Sequence, residues 1–202
     1  MIKVVNNLVG GFFMLSVVNG IHAYQINIIK TQEAEEKDWE QLKNVFVDAF
    51  SQTYKDINSK DIHSNFATLS DYLNNLFESD RRNISRLNFD FIVATEEQDI
   101  AGYLLSCYCA EEKRAYILHL VVDSSRHNKG IGKNLLKACE ALYKDSDFIA
   151  LSTRVFNEKA IGFYKHLGFY DTQYTPEIAY NIRPNARNNP QIVHLEKVIL
   201  RS

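Results

Sequence analysis

Residues 120–132 read Leu-Val-Val-Asp-Ser-Ser-Arg-His-Asn-Lys-Gly-Ile-Gly, and this stretch decides how the chain folds. An apolar strand runs into a short polar loop that closes on Gly130-Ile131-Gly132. A helix follows at once, with Ile131, Leu135, Leu136, Cys139, Leu142 and Tyr143 along one side. A helix opening here aims the unpaired N–H groups of its first turn, and the positive end of its dipole, at one point beyond the strand. Such a point binds phosphate. A Cβ at either glycine would hold a diphosphate away from the backbone. A plain tight turn is the other reading of the same residues. The dinucleotide fingerprint is excluded, because its third glycine would fall at 135, where Leu135 stands. A Walker loop is excluded too, because Gly132-Lys133 is followed by Asn134.

A second segment narrows the choice. Residues 157–169 read Asn-Glu-Lys-Ala-Ile-Gly-Phe-Tyr-Lys-His-Leu-Gly-Phe. Asn157 suits a helix N-cap, Ala160, Ile161, Tyr164 and Leu167 share one helical face, and Gly168 suits the position just past the helix end. In this order and spacing the two segments resemble the GNAT N-acetyltransferase superfamily. The first is similar to its acyl-CoA loop, Arg/Gln-x-x-Gly-x-Gly/Ala. The second is similar to its Asn-x-x-Ala-x-x-Phe-Tyr-x-x-x-Gly-Phe helix. As a run of elements the resemblance covers about residues 24–200. Two positions depart from the pattern: His127 replaces the usual Arg or Gln, and Asn128 stands at a commonly glycine position. Asn128 adds bulk near the phosphates, so weaker acyl-CoA affinity is expected.

The resemblance implies acetyl-CoA as co-substrate and no metal. It implies that Leu120, Val121 and Val122 hold the pantetheine arm by sheet-like hydrogen bonds. His127, Asn128, Lys129, Gly130, Ile131, Gly132 and Lys133 would hold the diphosphate, and Asn157 would touch the CoA arm. Tyr164 stands at the tyrosine position that faces the thioester sulfur, where a phenol can protonate a departing thiolate. A core aromatic and a plain N-cap are the structural readings of Tyr164 and Asn157.

Around these motifs the chain reads as one domain. Its 202 residues are 46% hydrophobic and 24% charged, with net charge −2, so nothing suggests a nucleic-acid or polybasic membrane surface. Cys107, Cys109 and Cys139 are an odd number without metal-like spacing and read as buried thiols. Periodicity predicts a strand over 25–30 and helices around Trp39–Phe50 and Leu69–Phe77. Strands follow at 89–95, 100–109 and 116–122, then the phosphate loop and its helix. A strand at 148–155, the Asn157 helix and strands at 169–174 and 192–200 complete the order. The segment from Pro176 to Pro190 reads as a surface loop. This order implies an α/β (α+β) fold. It implies a mixed central sheet of about seven strands flanked by about four helices, and because this is also the family's element order the resemblance implies a single GNAT-like domain.

Residues 1–23 stand apart from residues 24–202, which the resemblance implies are the N-acetyltransferase domain. Lys3, the apolar run Leu8–Val18 and a small residue at Ala23 give the tripartite shape of a signal peptide. The run is too short for a stable membrane span. Export would take the protein from the compartment that makes acetyl-CoA, so either the segment does not export it or it acts where CoA is again available, such as another cell's cytosol. The two family motifs are more specific than the export pattern and favour cytoplasmic chemistry.

Acyl transfer to an amine needs a neutral nucleophile, a donor for the carbonyl oxygen and a proton for the thiolate. Relatives achieve this by direct attack. Strict alternation places Tyr116, Leu118 and Leu120 on one face of their strand and Ile117, His119 and Val121 on the other. In relatives the positions of Tyr116 and Leu118 face the acceptor. Tyr116 is therefore the candidate base, through a water, with Ser152 helping to order it. His119 has the better chemistry but the wrong parity, unless a bulge intervenes. The acceptor wall should come from Asp56, Asp61, His63, Glu177, Arg183 and Arg187. The acceptor itself is a small-molecule or protein amine, and a homodimer stays open. A non-catalytic acyl-CoA sensor, or a secreted interaction module on the same fold, are the competing functions.

Overall fold

The structure is a computed structural model that describes residues 7–9, 12–19, 22–57, 65–84, 87–174, 177–183 and 189–199. Only the backbone is described for the residues up to 23 and for Tyr180. The strands are β1 (Asn7–Val9), β2 (Phe12–Asn19), β3 (His22–Lys30), β4 (Phe89–Glu96), β5 (Asp99–Cys109), β6 (Arg114–Val122), β7 (Phe148–Arg154), β8 (Tyr170–Thr172) and β9 (Ile192–Val198). The described α-helices are α1 (Glu36–Tyr54), α2 (Leu69–Ile84), α3 (Ile131–Leu142), α4 (Glu158–His166) and α5 (Glu177–Ile182), with a single 3₁₀ turn at Ser124–Arg126.

They form one nine-stranded sheet in the order β1-β2-β3-β4-β5-β6-β7-β9-β8. The strands from β3 to β9 are the seven expected. The two beyond that number come from the signal-like segment, whose apolar run pairs antiparallel with β3, Val17 opposite Tyr24. A cut after Ala23 would fall within the first residues of β3. The reading of 1–23 as a removable leader also concerns residues 1–6, 10–11 and 20–21, which lie outside the described residues. A second difference is α5, which falls inside the segment expected to be a loop. Ala179 and Ile182 are buried in the core, so packing stabilises a short helix that propensity does not announce.

Two layers of helices cover the sheet. On one face α1 and α2 bury Trp39, Leu42, Phe46, Leu73 and Phe77 against Phe89, Phe91, Tyr103 and Tyr116. On the other, α3 and α4 bury Leu135, Cys139 and Tyr164 against Ile92, Leu104, Ile117 and Leu151. Each large side chain buried this way contributes about 1.5–3 kcal/mol. Cys107 and Cys139 are buried, Cys109 is half-buried, and all three are free thiols.

Two irregularities of β6 position the site. It pairs with β7 in parallel only from Arg114–Phe148 to Ile117–Leu151, although both strands continue. The sheet therefore splays open beyond that point. The antiparallel register with β5 also slips, from Leu105 opposite His119 to Ser106 opposite Ile117, which leaves Leu118 as a bulge.

Candidate active site

The bulge corrects the strict alternation. Leu118 and Val121 join Tyr116 in the core under α1 and α2, while Leu120 packs with Ile117 on the opposite face. His119 also lies on the Tyr116 side. Its Nδ1 is 3.2 Å from the Tyr103 hydroxyl, and its Nε2 is 2.9 Å from Asp80 Oδ2 on α2. One extra residue inverts the side-chain alternation beyond it, as a one-residue slip must.

Two cavities meet at the splay. The first, of about 650 Å³, is lined by residues 117–122 of β6, the phosphate loop, and Asn157, Lys159, Ala160, Phe163 and Tyr164 at α4. Of the residues the sequence points to for acyl-CoA, 120–122, 127, 128, 130–133, Asn157 and Tyr164 line this cleft, and Lys129 does not. Gly130 has φ +78° and Asn128 has φ +63°. Asparagine tolerates the left-handed region better than most residues, so Asn128 serves the turn in place of glycine. A Cβ at Gly130 would meet nothing within 4 Å, so conformation rather than space requires glycine there. At Gly132 a Cβ would sit 3.5 Å from the Phe163 ring.

The loop is braced from behind. Asp123 accepts hydrogen bonds from the Ser125 amide at 2.8 Å and from Arg126 at 2.7 Å, while Arg126 Nε reaches Glu96 at 2.9 Å. The Ser124 amide donates to Asp48 of α1 at 2.9 Å. His127 Nε2 donates to the Val122 carbonyl at 3.1 Å, which holds the imidazole against the end of β6. Lys133 and Lys159 bring positive charge to the cleft wall, which suits a diphosphate, while Arg126 is already paired with Asp123 and Glu96. At α4, Asn157 Oδ1 caps the helix by accepting from the Ala160 amide at 3.3 Å. Asn157 also lines the cleft, so the capping role leaves it beside the space expected to take the CoA arm. Burial pushes the Tyr164 phenol well above its ordinary range, which keeps it protonated at neutral pH.

The second cavity, of about 550 Å³, lies on the α1–α2 side and shares Phe50, Leu118, His119, Ser152 and Thr153 with the first. Tyr116 lines it. Burial raises the Tyr116 phenol, against an opposing hydrogen bond with Ser152. Ser152 Oγ in turn lies 2.8 Å from His194 Nδ1 on β9, an imidazole that burial keeps neutral. Of the acceptor-wall residues expected from the sequence, Arg183 lines this cavity, while Asp56 and Glu177 do not. The Glu177 amide instead donates to Glu112 at 3.2 Å. Asp61, His63 and Arg187 lie outside the described residues.

The charged centre of this cavity is Asp80, 2% exposed, which pairs with the Arg183 guanidinium and with His119. Burial would raise the Asp80 carboxyl. Arg183 and His119 outweigh it and hold the carboxyl well below its usual range. Burial, reinforced by Arg183, lowers His119 and keeps it neutral, against the pull of Asp80. A neutral imidazole facing a carboxylate at Nε2 carries its proton there, so its lone pair sits on Nδ1 and accepts from Tyr103. His119 is thus committed at both nitrogens. Asp80 escaped the sequence reading although its signal was present: with Leu73, Phe77 and Ile84 it lies on the apolar stripe of α2, where a carboxylate demands a partner.

Among the described residues no group of His, Cys, Asp and Glu could hold a metal ion, and no helix is long and apolar enough to cross a membrane. The Acetyltransferase (GNAT) family profile matches residues 39–169. N-alpha-acetyltransferase 30 of Xenopus laevis is 41% identical over 61 residues, which are 28% of this chain and 22% of that protein. Its human counterpart is 41% identical over the same length, 16% of that protein. The chain thus matches less than a quarter of these relatives. Among solved structures, the PaiA N-acetyltransferase of Thermoplasma acidophilum, in complex with coenzyme A, superposes with a TM-score of 0.58 at 22% identity, over 86% of this chain and 98% of that one. The ribosomal-protein-S18-alanine N-acetyltransferase of Escherichia coli does so with a TM-score of 0.53 at 16% identity, over 88% and 96%. These likenesses show the fold, and the profile match over most of the chain shows that it belongs to the GNAT acetyltransferase family.

Proposed function

We propose that this protein is an acetyl-CoA-dependent N-acetyltransferase that moves the acetyl group to a primary amine by direct attack. The observation that carries this reading is the meeting of two cavities at the β6–β7 splay, one walled by the phosphate loop and the other by Tyr116 and His119. A thioester in the first cavity and an amine in the second would face each other across Leu118 and Ser152. The amine nitrogen forms a bond to the acetyl carbon, the carbon–sulfur bond breaks, and the thiolate takes a proton from the Tyr164 phenol. Tyr116, Ser152 and His194 offer the amine's proton a route outward, ending on a neutral imidazole. Tyr116 relays that proton, because a phenol raised by burial is a poor terminal base. The reaction belongs in the cytoplasm, where acetyl-CoA is made.

An amine panel assayed with acetyl-CoA and thiol detection tests the reading. Stoichiometric CoA release and N-acetyl product are expected. Tight acetyl-CoA binding without release for any amine would instead favour a sensor.

A further inference from the structure

We propose that the second cavity selects an amine whose neighbouring group is a carboxylate and whose side chain is apolar. This rests on the proposed acetyl transfer for its meaning but not for its test.

Among the described residues, two guanidiniums, Arg154 and Arg183, line this cavity against one carboxylate, Asp80. Asp80 is already committed. Arg183 pairs with both its oxygens, with Nε 3.2 Å from Oδ1, and His119 Nε2 lies 2.9 Å from Oδ2. Among the described residues no further acidic group lines this wall to greet a cation. Arg154 stands two residues past Ser152 on β7 and on the same face, about 7 Å further along the strand. Its Nη1 makes a long 3.3 Å contact with Gln191. Arg183 carries its counter-ion Asp80 with it, so among the described residues the unbalanced positive charge on this wall is that of Arg154. Tyr54 lines the same space, and its phenol can donate a hydrogen bond to an anion.

An amine held beside Tyr116 and Ser152 at the splay would place a carboxylate on its α-carbon within reach of Arg154. Guanidinium and carboxylate suit one another in both charge and shape. The same positive field lowers the pKa of a bound amine and favours its nucleophilic form. A polyamine meets repulsion here instead. Phe46, Phe50, Leu76 and Ile182 supply apolar wall for a side chain.

Binding measured by calorimetry on the full chain saturated with CoA tests this without requiring turnover. Leucine is compared with leucinamide, the peptide Leu-Glu-Ala-amide with Leu-Gln-Ala-amide, and all four with spermidine. A carboxylate-bearing ligand should bind about tenfold or more tightly than its amide, the worth of one charged hydrogen bond. Preference within the leucine pair is the result expected of a carboxylate on the α-carbon, and preference within the peptide pair alone, where the carboxylate lies one residue away, would overturn the proposal. Arg154→Gln should bring the acid-to-amide ratio toward one, and Arg154→Lys should restore part of it. Acid and amide binding equally in both pairs, or spermidine binding as tightly as the best acid, would overturn the proposal. Absence of CoA release in the amine panel would count against acetyl transfer and leave this ratio readable.

Discussion

At the residue scale the site divides into groups proposed to act on the thioester and groups that hold the loop. Tyr164 is 7% exposed, lines the cleft and stays protonated, as a proton donor to a thiolate must. Tyr164→Phe keeps the ring packing against Phe163 and Phe169 and removes the proton. We expect turnover to fall about a hundredfold, with little change in the KM for acetyl-CoA, since the proton matters only as the C–S bond breaks. Steady-state kinetics would check this, and an unchanged kcat would leave Tyr164 as packing. Gly132 gives the complementary prediction. Its Cβ meets only ordinary contacts at Phe163 and Val122, so Gly132→Glu should fold. Its carboxylate would occupy the helix N-terminus proposed to take the diphosphate. We expect CoA affinity to fall about tenfold or more, measured by calorimetry on protein with a wild-type melting curve. Wild-type affinity would place the diphosphate elsewhere.

At the scale of elements, Asp80 latches three pieces of chain together. It sits on α2, holds His119 of β6 and holds Arg183 just past α5. The Asn83 side chain adds a hydrogen bond to the Ile182 carbonyl at 3.0 Å, so α5 is tied to α2 at two points. Asp80→Asn keeps the shape and removes the charge, leaving Arg183 without its counter-ion. Losing one partner of a buried pair costs about 3–5 kcal/mol, and the lower end applies here because the Arg183 side chain keeps 36% exposure to water. Denaturant unfolding would show the loss. A variant as stable as wild type would mean that the latch contributes nothing net.

At the scale of the whole molecule the same cluster sets an acid sensitivity. The Asp80 carboxyl is held below its ordinary value of 3.8, so its stabilisation is present above that value and is lost as the pH falls through the folded pKa. His119 is held below its ordinary 6.5, so as the pH falls past 6.5 the unfolded chain takes up a proton that the folded chain refuses. Both effects have one sign. We expect the melting temperature to fall on acidification from about pH 6.5, and His119→Gln to flatten the upper part of that decline. A pH-independent melting temperature between 7 and 4 would contradict the cluster. Truncation is the other test at this scale. β1 and β2 lie outside β3 at one edge, while β3 remains paired with β4 from Gln25–Thr95 to Lys30–Asp90. A chain of residues 24–202 should therefore fold and bind CoA, checked by circular dichroism and calorimetry. Loss of folding would make the edge strands part of the domain.

The sequence by itself determined the strand–loop–helix of the phosphate site and the helix capped by Asn157. It also determined the order of the seven strands from β3 to β9, because local periodicity, glycine placement and capping are written in neighbouring residues. Tertiary structure alone decided which face His119 occupies. The Leu118 bulge is a mismatch between β6 and β5, and alternation within β6 cannot show it. It also decided that residues 177–182 form a helix, through burial of Ala179 and Ile182, and that Asp80, His119 and Arg183 meet from three distant parts of the chain. The two charges most exposed to a substrate in the second cavity, Arg154 and Arg183, come from a strand end and a connecting segment. Nothing local relates them. Arg183 reaches the cavity through its pairing with Asp80 of α2, and Arg154 through its position on β7, so their common cavity is a property of the fold rather than of any one stretch of sequence.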